Sequence, residues 1–159
     1  MKKMIFAAFA ALLVVGCGNY TEDDNETITD TFPQGMEHTL TREDTLVAMF
    51  NAFVLQESKG DVLAISPCGQ YVGCLQISKI MVREANRLIG DSIYSYDDRL
   101  DPDCSFGMFM AVMNSKNKNL DIDMAINLWN KRAQQPYRDN VKAYFYADIE
   151  NFSRCKSDN

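Results

Sequence analysis

Apolar residues recur along this chain at spacings of three and four, the period of a helix with one buried face. Leu46, Met49, Phe50, Phe53 and Val54 make the first stripe, with Thr41 and Asp44 as a capping signal ahead of it and Gly60 as its stop. Ile80, Met81, Ala85, Leu88 and Ile89 form a second stripe between Ser78 and Gly90. Ser105 precedes a third (Phe106, Phe109, Met110, Met113), Asp121 a fourth (Ala125, Leu128, Trp129), and Pro136 opens a fifth (Val141, Tyr144, Phe145, Ile149, Phe152). The pattern predicts a mainly α domain of about five helices. Between Ser58 and Gly73 the period breaks, and glycines, a proline and scattered β-formers predict an irregular loop or a short hairpin.

The N-terminus follows another logic. Met1-Lys2-Lys3 is a basic start, and Met4 to Val15 is an apolar run of 12 residues. A membrane-spanning helix needs about 20, so the run reads as an export signal. It closes with Leu13-Val14-Val15-Gly16-Cys17, which resembles the lipobox of bacterial lipoproteins, although Val14 holds the place where leucine is usual. The resemblance implies that residues 1–16 are removed, that Cys17 is acylated, and that the protein is lipid-anchored in the cell envelope. Acylation with more than one chain gives stable membrane anchoring.

Residues 17–46 carry eight acids against one base, Arg42. Such a composition predicts an acidic, self-repelling tether over 17–45, a folded domain over 46–152 and a short tail over 153–159. The Thr21-Glu22-Asp23-Asp24 cluster is similar to acidic tags that route some lipoproteins to the cell surface. The whole chain has a formal net charge of -6, but 14 acids and 13 bases remain beyond residue 46, so the acidity belongs mainly to the tether. No basic face for nucleic acid is expected.

The single histidine, His38, lies in the acidic stretch, which removes a Ser-His-Asp triad and a histidine zinc site from consideration. Neither metal nor cofactor is expected, and a monomer is. Cys68, Cys74, Cys104 and Cys155 allow three disulfide pairings, among them Cys68 with Cys74 and Cys104 with Cys155, or they remain thiols.

Glu57 stands out on elementary grounds. It continues the stripe of Phe50, Phe53 and Val54 at the end of the first helix, where the backbone dipole is negative. Apolar surroundings and that dipole both raise a carboxyl pKa, and a carboxyl protonated near neutrality serves as a general acid and then as a base.

The surrounding motifs add a resemblance. Gln56-Glu57-Ser58-Lys59-Gly60, Ala64-Ile65-Ser66-Pro67, Val72-Gly73-Cys74-Leu75-Gln76-Ile77-Ser78 and Ala125-Ile126-Asn127-Leu128-Trp129-Asn130 resemble, in order, motifs of the soluble lytic transglycosylases and goose-type lysozymes. Cys74-Leu75 replaces the family's Leu-Met, Trp129 stands where it has tyrosine, and Lys131-Arg132 replaces a small pair. The resemblance implies a lysozyme-like domain that cuts the β-1,4 bond between N-acetylmuramic acid and N-acetylglucosamine in peptidoglycan, leaving a 1,6-anhydro end. Glu57 is then the single acid/base, and Ser58, Gln76 and Trp129 border the glycan; the polar and aromatic stretch Tyr94 to Asp101 offers Tyr96 as a further residue at the groove. A hydrolytic muramidase is the alternative, with Asp97, Asp98 or Asp101 as second carboxylate. A degenerate domain that binds peptidoglycan without cutting it is the third reading.

Overall fold

The computed structural model describes residues 40–157, with side chains placed through Arg154. The signal, Cys17, most of the acidic stretch, His38 and the Cys155 side chain lie outside the described residues. Five α-helices and one small antiparallel sheet make up the domain in the order α1 (Arg42–Ser58), β1 (Tyr71–Val72), β2 (Ile77–Ser78), α2 (Lys79–Ile89), α3 (Pro102–Lys116), α4 (Ile122–Trp129) and α5 (Gln135–Ser157), with a 3-10 turn at Asp97–Leu100. None of these helices is long and apolar enough to cross a membrane.

The helix starts follow local chemistry. Thr41 and Asp44 form a reciprocal capping box, so α1 begins at Arg42, inside the stretch read as tether. Arg42 fastens this end by donating to the Lys118 carbonyl at 2.6 Å and to Asn114 Oδ1 at 3.0 Å. The third helix starts earlier than Ser105, because Asp101 accepts from the Asp103 and Cys104 amides and Pro102 fits the first turn. Ser105 is instead buried and donates to the Arg99 carbonyl. Val82 and Ala85 are the buried residues of α2, whereas Ile80 is 69% exposed. Finally, α5 continues past the predicted boundary at 152 to Ser157.

The core joins α1 residues Met49, Ala52 and Phe53, hairpin residues Leu75 and Ile77, and α3 residues Met108, Phe109 and Met113 to Val141, Phe145 and Ile149 of α5. The most extensive helix pairing is between α1 and α5, followed by that of α2 with α3. Asn51 Nδ2 donates to Asp148 Oδ2 across the first pair at 2.8 Å. Asp123 of α4 receives Lys142 Nζ of α5 at 2.7 Å.

The loop after α1 adds one isolated bridge to the two-stranded sheet. Ile65 bridges Val72, and Val72 pairs with Ile77. Buried Arg99 locks this element to the 3-10 turn, its Nε donating to the Tyr96 carbonyl at 2.5 Å and its Nη1 to the Gln70 and Ile77 carbonyls at 3.4 and 3.3 Å. Gly73 makes the close approach possible: it has φ of 79°, and a Cβ there would overlap the Arg99 carbonyl. Both features oppose any side chain. Gly73→Ala is therefore expected to destabilise the domain by about 2–3 kcal/mol, read as a lower urea midpoint at an unchanged slope. A midpoint equal to that of the parent protein would refute this packing argument.

Candidate active site

Glu57 occupies the last turn of α1 and is half-buried, as its place on the apolar stripe predicts. Its Oε1 accepts a hydrogen bond from the Tyr137 hydroxyl at 2.5 Å, across 80 residues of sequence. Burial is the largest influence on Glu57 and raises its pKa; the Tyr137 hydroxyl and the Lys59 ammonium pull the other way without cancelling it. Burial, followed by the nearby Glu57 carboxyl, raises the Tyr137 phenol, which keeps it a proton donor throughout the ordinary pH range. The arrangement is a carboxyl whose burial favours the protonated form, with a phenol positioned to steady the carboxylate once the proton has left.

Tyr137 is the site residue that the stripe and motif reading missed. It sits in the first turn of α5, immediately after Pro136, and packs against the edge of the core. An aromatic residue with a hydroxyl, beside a helix-opening proline, is the local signal.

The other predicted site residues divide into distinct roles. The Ser58 hydroxyl donates to the Val54 carbonyl and accepts from the Gly60 amide, closing the helix end. Gln76 donates its side-chain amide to the Ala64 and Gly73 carbonyls at 3.1 and 2.9 Å, so it braces the loop that follows the Glu57 helix. Trp129 packs its ring 5.8 Å from that of Phe53 and 5.5 Å from that of Phe109. Its indole thus forms a wall of the core one helical turn before Glu57, and the hydroxyl contact belongs to Tyr137. Tyr96 is exposed, with Lys79 Nζ 5.0 Å from its ring centroid.

The aspartates proposed as second carboxylates are largely engaged in local structure. Asp98 accepts from the Ser95 amide at 2.6 Å and Asp101 caps α3, whereas Asp97 is exposed. Cys68 is an exposed thiol whose pKa is lowered chiefly by a hydrogen bond with Ser66, and Cys74 is a buried thiol raised by desolvation. The Cys68–Cys74 disulfide is thus not formed. Buried Cys74 lies in the turn between β1 and β2, while exposed Cys68 lies in the turn that precedes β1. Among the described residues no three His, Cys, Asp or Glu side chains gather as metal ligands do.

No family model, curated protein or solved structure matches the chain.

Next to Glu57, Gln56 buries its Oε1 without a hydrogen-bond partner and Lys59 holds left-handed backbone at φ of 59°; Gln76 and, in the loop after α3, Leu120 also hold left-handed backbone, at φ of 49° and 50°. Unsatisfied buried acceptors and left-handed non-glycine residues both cost stability. Two open surface depressions lie elsewhere, one at the end of α2 around Arg87 and Ser92, the other around Asn117 and Asp121; neither takes in Glu57. Val62, Leu63, Ile65 and Tyr71 are exposed on the loop and hairpin that follow the Glu57 helix.

Proposed function

We propose that this protein is a lytic transglycosylase of lysozyme-like architecture, acting on peptidoglycan from a lipid anchor at Cys17. The observation that carries the reading is the half-buried Glu57 carboxyl, raised in pKa and bonded by the Tyr137 hydroxyl. Neutral Glu57 donates its proton to the glycosidic oxygen as the bond from that oxygen to the muramoyl anomeric carbon breaks. The resulting carboxylate keeps the Tyr137 hydrogen bond. It then removes the proton from the muramoyl C6 hydroxyl, whose oxygen closes onto the anomeric carbon and leaves a 1,6-anhydro ring. The nucleophile belongs to the substrate, so one carboxyl suffices. The engagement of Asp98 and Asp101 with backbone amides favours this route over hydrolysis with a second carboxylate.

Digestion of purified sacculi followed by mass spectrometry tests the proposal. Anhydro-muramoyl ends, lighter than reducing ends by one water, are the expected product. Reducing ends would make the protein a muramidase, and sedimentation with sacculi without release of fragments would make it a binding protein.

Tyr137→Phe removes the hydroxyl that lowers the Glu57 pKa while leaving the ring. Losing one hydrogen bond to a charged group is worth about 1.5–3 kcal/mol, or a drop of roughly 10- to 100-fold in turnover. The carboxyl then stays protonated to higher pH, so the alkaline limb of the pH–rate profile moves upward. A profile unchanged in position would show that Tyr137 does not act on Glu57.

A further inference from the structure

The helix that carries Glu57 ends on a residue poorly suited to the conformation it holds. Lys59 caps α1 in the left-handed region, with φ of 59° and ψ of 27°, and Gly60 follows with φ of 88°. Glycine is the usual residue at a left-handed cap, because a Cβ is disfavoured there. The lysine brings an ammonium group. Its Nζ lies 5.8 Å from the ring centroid of Tyr144 in α5, and its charge reaches Glu57, drawing the carboxyl toward ionisation.

Tyr144 lies seven residues after Tyr137, two helical turns along the same side of α5. Lys59, Tyr144, Tyr137 and Glu57 thus share one end of the α1–α5 pair. Lys59 is exposed and enters none of the salt bridges formed among the described residues. An ammonium resting on an aromatic ring, in none of those salt bridges, has its charge available to an incoming anion.

We propose that Lys59, with the Tyr144 ring beneath it, is a specificity-determining residue that receives a carboxylate of the peptide borne by the muramoyl sugar. This rests on the lytic transglycosylase reading, which supplies the substrate and its acidic peptide. Left-handed backbone at position 59 is then retained because it turns the chain so that the ammonium faces the site.

The test compares two substrates and two variants. Peptide-bearing glycan strands are used as isolated and after their peptide carboxylates have been converted to amides, which removes charge and leaves size nearly unchanged. Lys59→Met removes the charge from a long side chain, and Lys59→Gly also relieves the backbone. The parent protein is expected to prefer the acidic strands in kcat/KM, and both variants to lose about tenfold of that preference, while Lys59→Gly melts no lower than the parent. An unchanged preference in both variants overturns the proposal, as does a parent protein that does not distinguish the two strands. If the parent protein cuts neither strand, the transglycosylase reading fails separately. Co-sedimentation of acidic and amidated strands with parent and Lys59→Met protein then decides the Lys59 contact alone, and equal retention of all pairs rejects it.

Discussion

Replacing Glu57 with glutamine is expected to lower glycan cleavage by about 10²–10⁴-fold, because the amide keeps the shape of the carboxyl and cannot pass on a proton. The same substitution is expected to strengthen the fold near neutrality. The folded-state pKa of Glu57 is raised chiefly by burial, so as pH climbs the unfolded chain ionises first. Stability is then lost between the ordinary carboxylate pKa and the raised one, and stays lower above it. Glutamine has no such loss, and its Oε1 can still accept from Tyr137. Thermal melts should therefore show the variant above the parent protein near neutral pH and level with it in acid, below the carboxylate range. Undiminished cleavage would remove Glu57 from the chemistry. A variant less stable than the parent at neutral pH would contradict the electrostatic account of this carboxyl.

Phe109→Ala is expected to destabilise the domain by about 3–5 kcal/mol, a large part of the 5–15 kcal/mol that holds a typical domain together. Phe109 is fully buried, and its ring lies 5.8 Å from those of Phe50 and Phe53 and 5.5 Å from Trp129. Truncation thus removes apolar burial and three aromatic contacts at the junction of α1, α3 and α4, where the surrounding helices can close the cavity only in part. Trp129, the only tryptophan in the chain, reports the change directly. Denaturation followed by its fluorescence should give a sharply lower midpoint, and the folded-state emission should shift to the red. A loss under 1 kcal/mol would mean that the three-helix junction repacks, contrary to the geometry described.

These expectations draw unequally on sequence and structure. The five helices were legible because helical periodicity and capping act within one or two turns, as Thr41 with Asp44 at α1 and Ser78 with Gly90 at α2 show. A possible hairpin after α1 was legible from broken periodicity. Ser105 was read as the start of α3, whereas Asp101 caps the helix and the Arg99 carbonyl takes up the Ser105 hydroxyl, a contact that spacing does not reveal. Ile80 joined the predicted stripe of α2 because spacing identifies a face without showing how wide a strip of it the neighbouring helix covers.

Where a carboxyl would be costly can be read from spacing alone: Glu57 shares a stripe with Phe50, Phe53 and Val54 at a helix end, and that follows from local geometry. What that carboxyl touches is set by the packing of distant helices. Tyr137 reaches it from 80 positions away, while Trp129, at the motif position where tyrosine was anticipated, turns into the aromatic core. Spacing rules reach across a few residues, whereas a contact between α1 and α5 depends on the angle and offset at which two helices settle over a shared core, and those are set by every side chain packed between them.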